Sequence, residues 1–166
     1  PLKGLMLYAI EIPKSGSVTL FRNTVALHDD LPAALRERAS KVRNFFDGSL
    51  TPPYDPSKSK AEQPSAWHPY FWTDPESGKK TLLASPTTIA RSDTATPEEG
   101  KQLMREIWEY AATRDDLVYA HHWAPGDLVV WHNCLTQHAR LPFNGAEPRT
   151  LRRTQIHYPE IGRAHV

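Results

Sequence analysis

The sequence predicts a mainly β fold with flanking helices. Segments of strand length recur along the chain, among them the apolar runs Gly4 to Ile12 and Leu128 to Trp131 and the mixed segment Val118 to Trp123. Only two segments have the spacing of a helix. Residues that favour turns separate the runs, as at Pro125-Gly126-Asp127. Pattern alone therefore indicates antiparallel strands with helices beside them.

Composition restricts the class of partner. A length of 166 residues favours one domain spanning residues 1–166, with a core of its own. The formal net charge is +1 and the two signs are interspersed without long basic blocks, so we expect no nucleic-acid partner. No apolar run reaches membrane length and no signal peptide opens the chain, so we expect a cytoplasmic protein without a membrane partner. Cys134 is the only cysteine, which excludes an intramolecular disulfide.

The first quarter of the chain reads as two strands and a helix. Gly4 to Ile12 is too continuously apolar for an edge strand, and Val18 to Phe21 begins another extended piece. A helix is predicted from Pro32 to about Phe46, with Asp30 as a capping acid. Its apolar stripe would consist of Leu35, Ala39, Val42 and Phe46.

Residues 47–66 are rich in proline and small polar residues, a composition that disfavours a packed element. We expect a mobile loop here, either a lid over a substrate or a plain surface loop. After the aromatic segment Trp67 to Trp72, Asp74 to Gly78 has hairpin-turn chemistry, and Lys80 to Ala84 is the returning strand.

A second helix begins at Thr96, because Thr96-Pro97-Glu98-Glu99 forms a capping box with proline at the first helical position. Its core-facing stripe would consist of Leu103, Met104, Ile107, Trp108 and Ala111.

The chemistry concentrates between Trp123 and Arg153. Leu128 to Trp131 reads as a buried strand, Asn133 ends it, and His138 follows in the loop beyond. A further strand, from about Thr150 to Tyr158, places Arg149, Leu151 and Arg153 on one face. A histidine near a strand end and two arginines on one face suit a site that holds a metal and an anion together.

These residues resemble the C-terminal half of the Fe(II)/2-oxoglutarate-dependent dioxygenases of the taurine dioxygenase (TauD/TfdA) family. The resemblance rests on Trp123-x-x-Gly126-Asp127, on Asn133 and His138, and on arginines 11 and 15 residues after that histidine. Gly16 to Phe21 resembles the family's Gly-Gly-x-Thr segment. The resemblance covers most of the chain except about Gly48 to Ala66.

The resemblance implies a double-stranded β-helix, or jelly roll, and assigns roles to four residues. His138 would be the second histidine of an iron site made of two histidines and one carboxylate. Thr19 and Arg149 would bind the distal carboxylate of 2-oxoglutarate, and Arg153 would meet an anionic group of a small-molecule substrate. The implied reaction uses Fe(II), 2-oxoglutarate and O2, oxidises the substrate, most simply by hydroxylation, and yields succinate. Homo-oligomerisation stays open.

The resemblance also identifies departures. The family's His-x-Asp, which supplies the other two iron ligands, would lie upstream of Pro1, so we expect an incomplete catalytic domain. The family's Trp-Asp-Asn-Arg reads Trp131-His132-Asn133-Cys134 here. His28-x-Asp30 is a literal His-x-Asp, but counted from Thr19 it falls on the lead-in to the first predicted helix, far from the family's iron ligands.

The remaining histidines are interpreted as bystanders. Adjacent His121 and His122 would point to opposite faces of a strand and could not easily share one metal. His68 is expected to be structural, and His165 belongs to the tail.

Two other classes of function remain open. One is a catalytically inactive jelly-roll binding module, since one metal ligand is visible and two are not. The other is a hydrolase that uses Cys134 with a neighbouring histidine, although a lone cysteine beside a strand is usually a small buried residue.

Overall fold

The computed structural model describes residues 2–50, 57, 59, 62–63, 65–83 and 89–158. These residues form eleven strands and three α-helices. In chain order they are β1 (Gly4–Glu11), β2 (Val18–Asn23), α1 (Thr24–Asp30), α2 (Ala33–Ser40), β3 (Arg43–Phe46), β4 (Ala66–Pro69), β5 (Phe71–Thr73), β6 (Lys80–Leu82), β7 (Ile89–Ser92), α3 (Pro97–Ala112), β8 (Val118–His122), β9 (Leu128–His132), β10 (Thr136–Arg140) and β11 (Thr150–Ile156).

The chain divides into two compact units. Unit 1 comprises residues 1–23 and 117–166, and unit 2 comprises residues 24–116. The expectation of a single domain stays a prediction, because one domain can contain two compact units. The predicted fold class, mainly β with helices, is confirmed.

Unit 1 consists of two antiparallel three-stranded sheets. One has the strand order β11–β1–β9 and the other has the order β10–β2–β8. β1 is the central strand of its sheet and not an edge strand, as predicted, although its Tyr8 and Ile10 side chains are exposed.

The core of unit 1 lies between its two sheets. Leu5 of β1 and Trp131 of β9 come from one sheet, Phe21 of β2 comes from the other, and the three buried side chains form one cluster. Phe21 and Trp131 meet edge to face, with ring centroids 5.1 Å apart. We call the face of each sheet that carries these side chains the inner face.

Unit 2 contains a three-stranded sheet, β4–β3–β7, a β5–β6 hairpin and the three helices. The hairpin turn is the predicted one: Gly78 has a positive φ of 68° and its N–H donates to the carbonyl of Asp74. α3 starts at the predicted capping box, with both reciprocal hydrogen bonds between Thr96 and Glu99 present. Its buried stripe is Gly100, Leu103, Ile107 and Ala111, with Met104 and Trp108 half-buried beside it.

The helix predicted from Pro32 to Phe46 is wrong at its C-terminal half. α2 ends at Ser40, and Arg43–Phe46 is instead the central strand β3 of its sheet. Asn44 is completely buried there and hydrogen bonds Ser92, while Phe45 and Phe46 pair with residues on both neighbouring strands. Pairing on both sides outweighs the helical spacing of four apolar residues. The segment before Pro32, interpreted as a lead-in, is itself the helix α1.

Asp30 is not a helix cap. The N-cap of α2 is Pro32, which makes no side-chain capping bond. The carboxylate of Asp30 instead accepts a hydrogen bond of 2.8 Å from Arg114, within a network that also includes Asp116.

The loop or lid predicted at residues 47–66 lies mostly outside the described residues and stays a prediction. Gly48–Leu50, at its start, is a short 3-10 helix. No helix in the described part of the chain combines the length and the apolar character needed to cross a membrane.

Candidate active site

The inner face of unit 1 carries a run of polar side chains beside its apolar core. In an antiparallel ladder, residues directly opposite each other project on the same face. His138 lies opposite Phe21, and Arg140 lies opposite Thr19. Since Phe21 belongs to the core, these polar residues point into the space between the two sheets.

His138 is held in place by two aromatic rings. Its ring centroid is 5.0 Å from that of Trp131 and 6.3 Å from that of Phe21. The structure places it within β10, so the prediction of a loop position is wrong: only a three-residue turn at 133–135 separates β9 from β10. No hydrogen bond from its ring to another described residue was found, which leaves a ring nitrogen available as a ligand.

Arg153 lies close to His138. It pairs with Leu7 across the β1–β11 ladder, so it shares the inner face with a side chain that packs on the core. The pKa of His138 lies below its usual value, because burial disfavours the imidazolium and because the positive charge of Arg153 adds to that effect. A neutral imidazole is the form that coordinates a metal.

Thr19 is buried and hydrogen bonded. Its hydroxyl oxygen accepts a hydrogen bond of 2.9 Å from the indole Nε1 of Trp123. The backbone N–H of Trp123 donates to the carbonyl of Ser17, which extends the β2–β8 pairing by one more residue pair. Ser17 and Thr19 are two positions apart on an extended chain and therefore share a face.

Arg149 reaches this end of β2 from the start of β11. Its Nε donates a hydrogen bond of 2.7 Å to the hydroxyl of buried Ser17. Its guanidinium carbon lies 5.4 Å from the ring centroid of Phe143. Burial and the nearby charge of Arg140 both lower the pKa of Arg149, although a guanidinium stays charged at any working pH.

The four residues singled out from the sequence thus lie in unit 1 as two neighbouring pairs. Arg153 accompanies His138, and Arg149 accompanies Thr19 through Ser17. His138 lies opposite Phe21, and Thr19 lies two residues before Phe21 on the same strand. His138 and Thr19 are therefore diagonal neighbours on β10 and β2. The inner faces of the two sheets together therefore offer an imidazole, a hydroxyl and two guanidiniums.

Of the other histidines, His121 also lies on the inner face, directly opposite Thr19. His121 lies 3.2 Å from a carboxylate oxygen of Asp127, and His122 projects to the opposite face of β8, as alternation predicted. In unit 2, Nδ1 of His28 is 2.8 Å from Asp29, and its ring meets Phe71 edge to face. Across the described ranges, no group of three His, Cys, Asp or Glu residues is placed to hold a metal ion. His138 would therefore be one ligand among others that these residues do not supply.

Cys134 has the environment of a structural cysteine. It is buried, and its Sγ donates to the carbonyl oxygen of Leu2 at 3.1 Å. Burial and this bond disfavour a nucleophilic thiolate, which weighs against the hydrolase interpretation.

Sequence reasoning missed Ser17, Trp123 and Arg140 as members of the site. A usable signal existed for two of them. Ser17 precedes Thr19 by two residues and Arg140 follows His138 by two, and the period of a strand puts each pair on one face. The bond from Trp123 to Thr19 joins residues 104 positions apart and needed the fold.

The strands of unit 1 and the groups on their inner faces have counterparts in known proteins. The chain matches the family model "Taurine catabolism dioxygenase TauD, TfdA family" over residues 1–155. It is 32% identical over 156 residues to an alpha-ketoglutarate-dependent 2,4-dichlorophenoxyacetate dioxygenase of Burkholderia sp. (strain RASC), covering 89% of this chain and 51% of that protein. It is 28% identical to an alpha-ketoglutarate-dependent sulfate ester dioxygenase of Pseudomonas putida, covering 93% and 54%.

Solved structures agree. The crystal structure of AAD-2 in complex with Mn(II) and N-oxalylglycine superposes with a TM-score of 0.82 at 26% identity, covering 96% of this chain and 64% of that one. The chain therefore belongs to the TauD/TfdA family of dioxygenases, and the resemblance noted from its sequence is confirmed. It spans about half the length of the curated relatives named above.

Proposed function

We propose that this protein is an Fe(II)- and 2-oxoglutarate-dependent dioxygenase that oxidises a small anionic organic substrate and converts 2-oxoglutarate to succinate. The observation that carries the proposal is the convergence of His138, Thr19 and Arg149 on the inner face of unit 1. Family membership and the names of the relatives support the same class of reaction.

His138 would contribute one ligand to the metal. Trp131 and Phe21 fix the position of its ring. Among the described residues, the ring has no hydrogen-bond partner that would compete with a metal. The lowered pKa keeps the imidazole neutral at ordinary pH, as coordination requires. When bound, Fe(II) supplies the redox chemistry through which O2 oxidises the substrate and the cosubstrate.

Arg149 and Thr19 would hold the distal carboxylate of 2-oxoglutarate. The Nε of Arg149 is occupied by Ser17, which orients the terminal NH groups of its fork for a carboxylate. The hydroxyl of Thr19 accepts from Trp123, so its own hydrogen is free to donate. N-oxalylglycine, present in the AAD-2 structure, has the same two acidic ends as 2-oxoglutarate.

Arg153 would orient the acidic group of the substrate near the metal. It lies beside His138 rather than beside Arg149, and four residues of strand separate the two arginines by about 13 Å. The relatives named for 2,4-dichlorophenoxyacetate and for sulfate esters act on anions, which supports an acidic substrate here.

The test is the affinity of the full-length protein for 2-oxoglutarate. Arg149→Ala should weaken it about 10- to 150-fold, since a charge-assisted hydrogen bond contributes about 1.5–3 kcal/mol. Arg152→Ala is the matched control, because Arg152 lies opposite Tyr8 on the outer face of the same strand. Equal affinity in wild type and Arg149→Ala would contradict the proposal.

A further inference from the structure

Arg140 lies at the same end of the site as Arg149. It is opposite Thr19 in the β10–β2 ladder and two residues after His138, so it projects on the inner face. Directly opposite residues have Cβ atoms about 4.5–5.5 Å apart, which brings the base of the Arg140 side chain beside the Thr19 hydroxyl.

Phe143 connects the two arginines. The guanidinium carbon of Arg140 lies 4.8 Å from the centroid of this ring, and that of Arg149 lies 5.4 Å from it. The two guanidinium carbons are therefore no more than about 10 Å apart. Stacking on one aromatic ring fixes both forks at little further cost in side-chain entropy.

Arg140 and Arg149 have no acidic partner in the part of the chain that the structure describes. No carboxylate of those residues lies within 4.0 Å of either guanidinium, whereas Arg38, Arg43 and Arg114 each pair with an acid. The nearest acid along the chain, Glu147, accepts hydrogen bonds from the backbone of Lys14 and Ser15 and from the Asn144 amide. Two like charges side by side repel, and burial together with the charge of Arg140 lowers the pKa of Arg149. An anion bound beside both would remove that cost.

We propose that Arg140 is a second guanidinium for the distal carboxylate of 2-oxoglutarate, acting with Arg149 and Thr19. This inference rests on the proposed function and adds a binding residue to it. A carboxylate offers about four acceptor positions, more than Thr19 and the free end of the Arg149 fork use. Arg140 borders the same space as Thr19 and Arg149, and its position is set by β10 and by stacking on Phe143.

The experiment compares two ligands that differ only at the distal end. 2-Oxopentanoate has the 2-oxo acid group of 2-oxoglutarate and a methyl group in place of the distal carboxylate. Equilibrium binding of each ligand is measured without O2, in the full-length protein with its metal, for wild type, Arg140→Ala, Arg140→Lys, Arg149→Ala and Arg152→Ala.

Arg140→Ala should weaken 2-oxoglutarate roughly 5- to 15-fold, between the values typical of an exposed ion pair and of a charge-assisted hydrogen bond. It should leave 2-oxopentanoate within about twofold of wild type. Arg140→Lys keeps the charge without the fork and should be intermediate. Arg152→Ala should change neither ligand.

Three results would overturn the inference, and they differ in what they imply. If Arg149→Ala weakens 2-oxoglutarate and Arg140→Ala does not, Arg140 is a surface cation and the proposed function stands. If Arg140→Ala weakens both ligands equally, its effect is structural and the proposed function again stands. If wild type does not bind 2-oxoglutarate, or Arg149→Ala binds it equally well, the proposed function fails and this inference fails with it.

Discussion

The indole Nε1 of Trp123 donates a hydrogen bond of 2.9 Å to the hydroxyl oxygen of Thr19, with both residues at least 95% buried. The bond fixes the hydroxyl group, because one lone pair of its oxygen is used and its hydrogen must point to another acceptor. It also ties the segment after β8 to the strand that carries Thr19. The same hydrogen bond therefore stabilises unit 1 and orients the Thr19 hydroxyl toward the proposed carboxylate site.

Thr19→Val should destabilise the protein by about 1–3 kcal/mol, because it leaves the buried N–H of Trp123 without an acceptor. Thr19→Ser keeps the oxygen and should cost less, through the lost methyl group alone. Urea unfolding, compared by midpoint at constant slope, measures both. Equal stability of the two variants would show that the bond contributes nothing.

Arg153→Ala should impair oxidation of the substrate about tenfold or more while leaving affinity for 2-oxoglutarate nearly unchanged. The effects should differ because Arg153 lies beside the proposed metal ligand His138, whereas Arg149 lies beside Ser17 at the proposed 2-oxoglutarate site. The measurement follows substrate oxidation and 2-oxoglutarate binding separately in the full-length protein.

Arg152→Ala is the internal control for that experiment, because its side chain leaves the opposite face of β11. Equal, mild effects of the two substitutions would make Arg153 an ordinary exposed cation. A loss of 2-oxoglutarate affinity in Arg153→Ala would show that Arg153 binds the cosubstrate and not the substrate.

Much of the fold could be read from the sequence where local chemistry is strong. The capping box at Thr96 and the turn at Asp74 to Gly78 occur as predicted, because each depends on residues only a few positions apart. β1 and β9 were identifiable as strands from their apolar runs. The prediction that β9 is buried is wrong, because it is the last strand of its sheet among the described residues and its Leu128 and Val130 side chains are exposed.

The errors fall where long-range pairing decides the structure. β3 has helical spacing, but partners from residues 66–69 and 89–92 hold it extended. β10 reads as a loop because His138 and Arg140 occupy positions that a purely structural strand would fill with apolar side chains. A strand whose inner face carries polar groups loses the alternation by which strands are recognised, so the pattern fails at the candidate site itself.

His68 should make the protein less stable in mild acid. Its pKa is lowered because burial disfavours the imidazolium, and its ring packs edge to face on Phe46. The folded state then binds fewer protons than the unfolded state below the ordinary histidine pKa of about 6.5, so stability is lost as the pH falls through and below that value.

His68→Gln should flatten this dependence. Free energies of unfolding from urea titrations between about pH 7.5 and 5 should fall less steeply for the variant than for wild type. Parallel curves would show that His68 does not contribute to the loss.

The central claim is that His138 holds the metal of a 2-oxoglutarate dioxygenase, and succinate formation tests it most directly. Succinate produced from 2-oxoglutarate is measured in the full-length protein with and without Fe(II) and O2, for wild type, His138→Ala and His122→Ala. His122 is the control because it projects from the opposite face of β8, which belongs to the same three-stranded sheet as β10. We predict that wild type forms succinate only when Fe(II) and O2 are both present, and that His122→Ala behaves like wild type. His138→Ala should form succinate at least about 100-fold more slowly, since even groups that merely orient a metal ligand contribute about 10- to 100-fold. Wild-type rates in His138→Ala would contradict the assignment, and a wild type that forms no succinate would favour an inactive jelly-roll binding module.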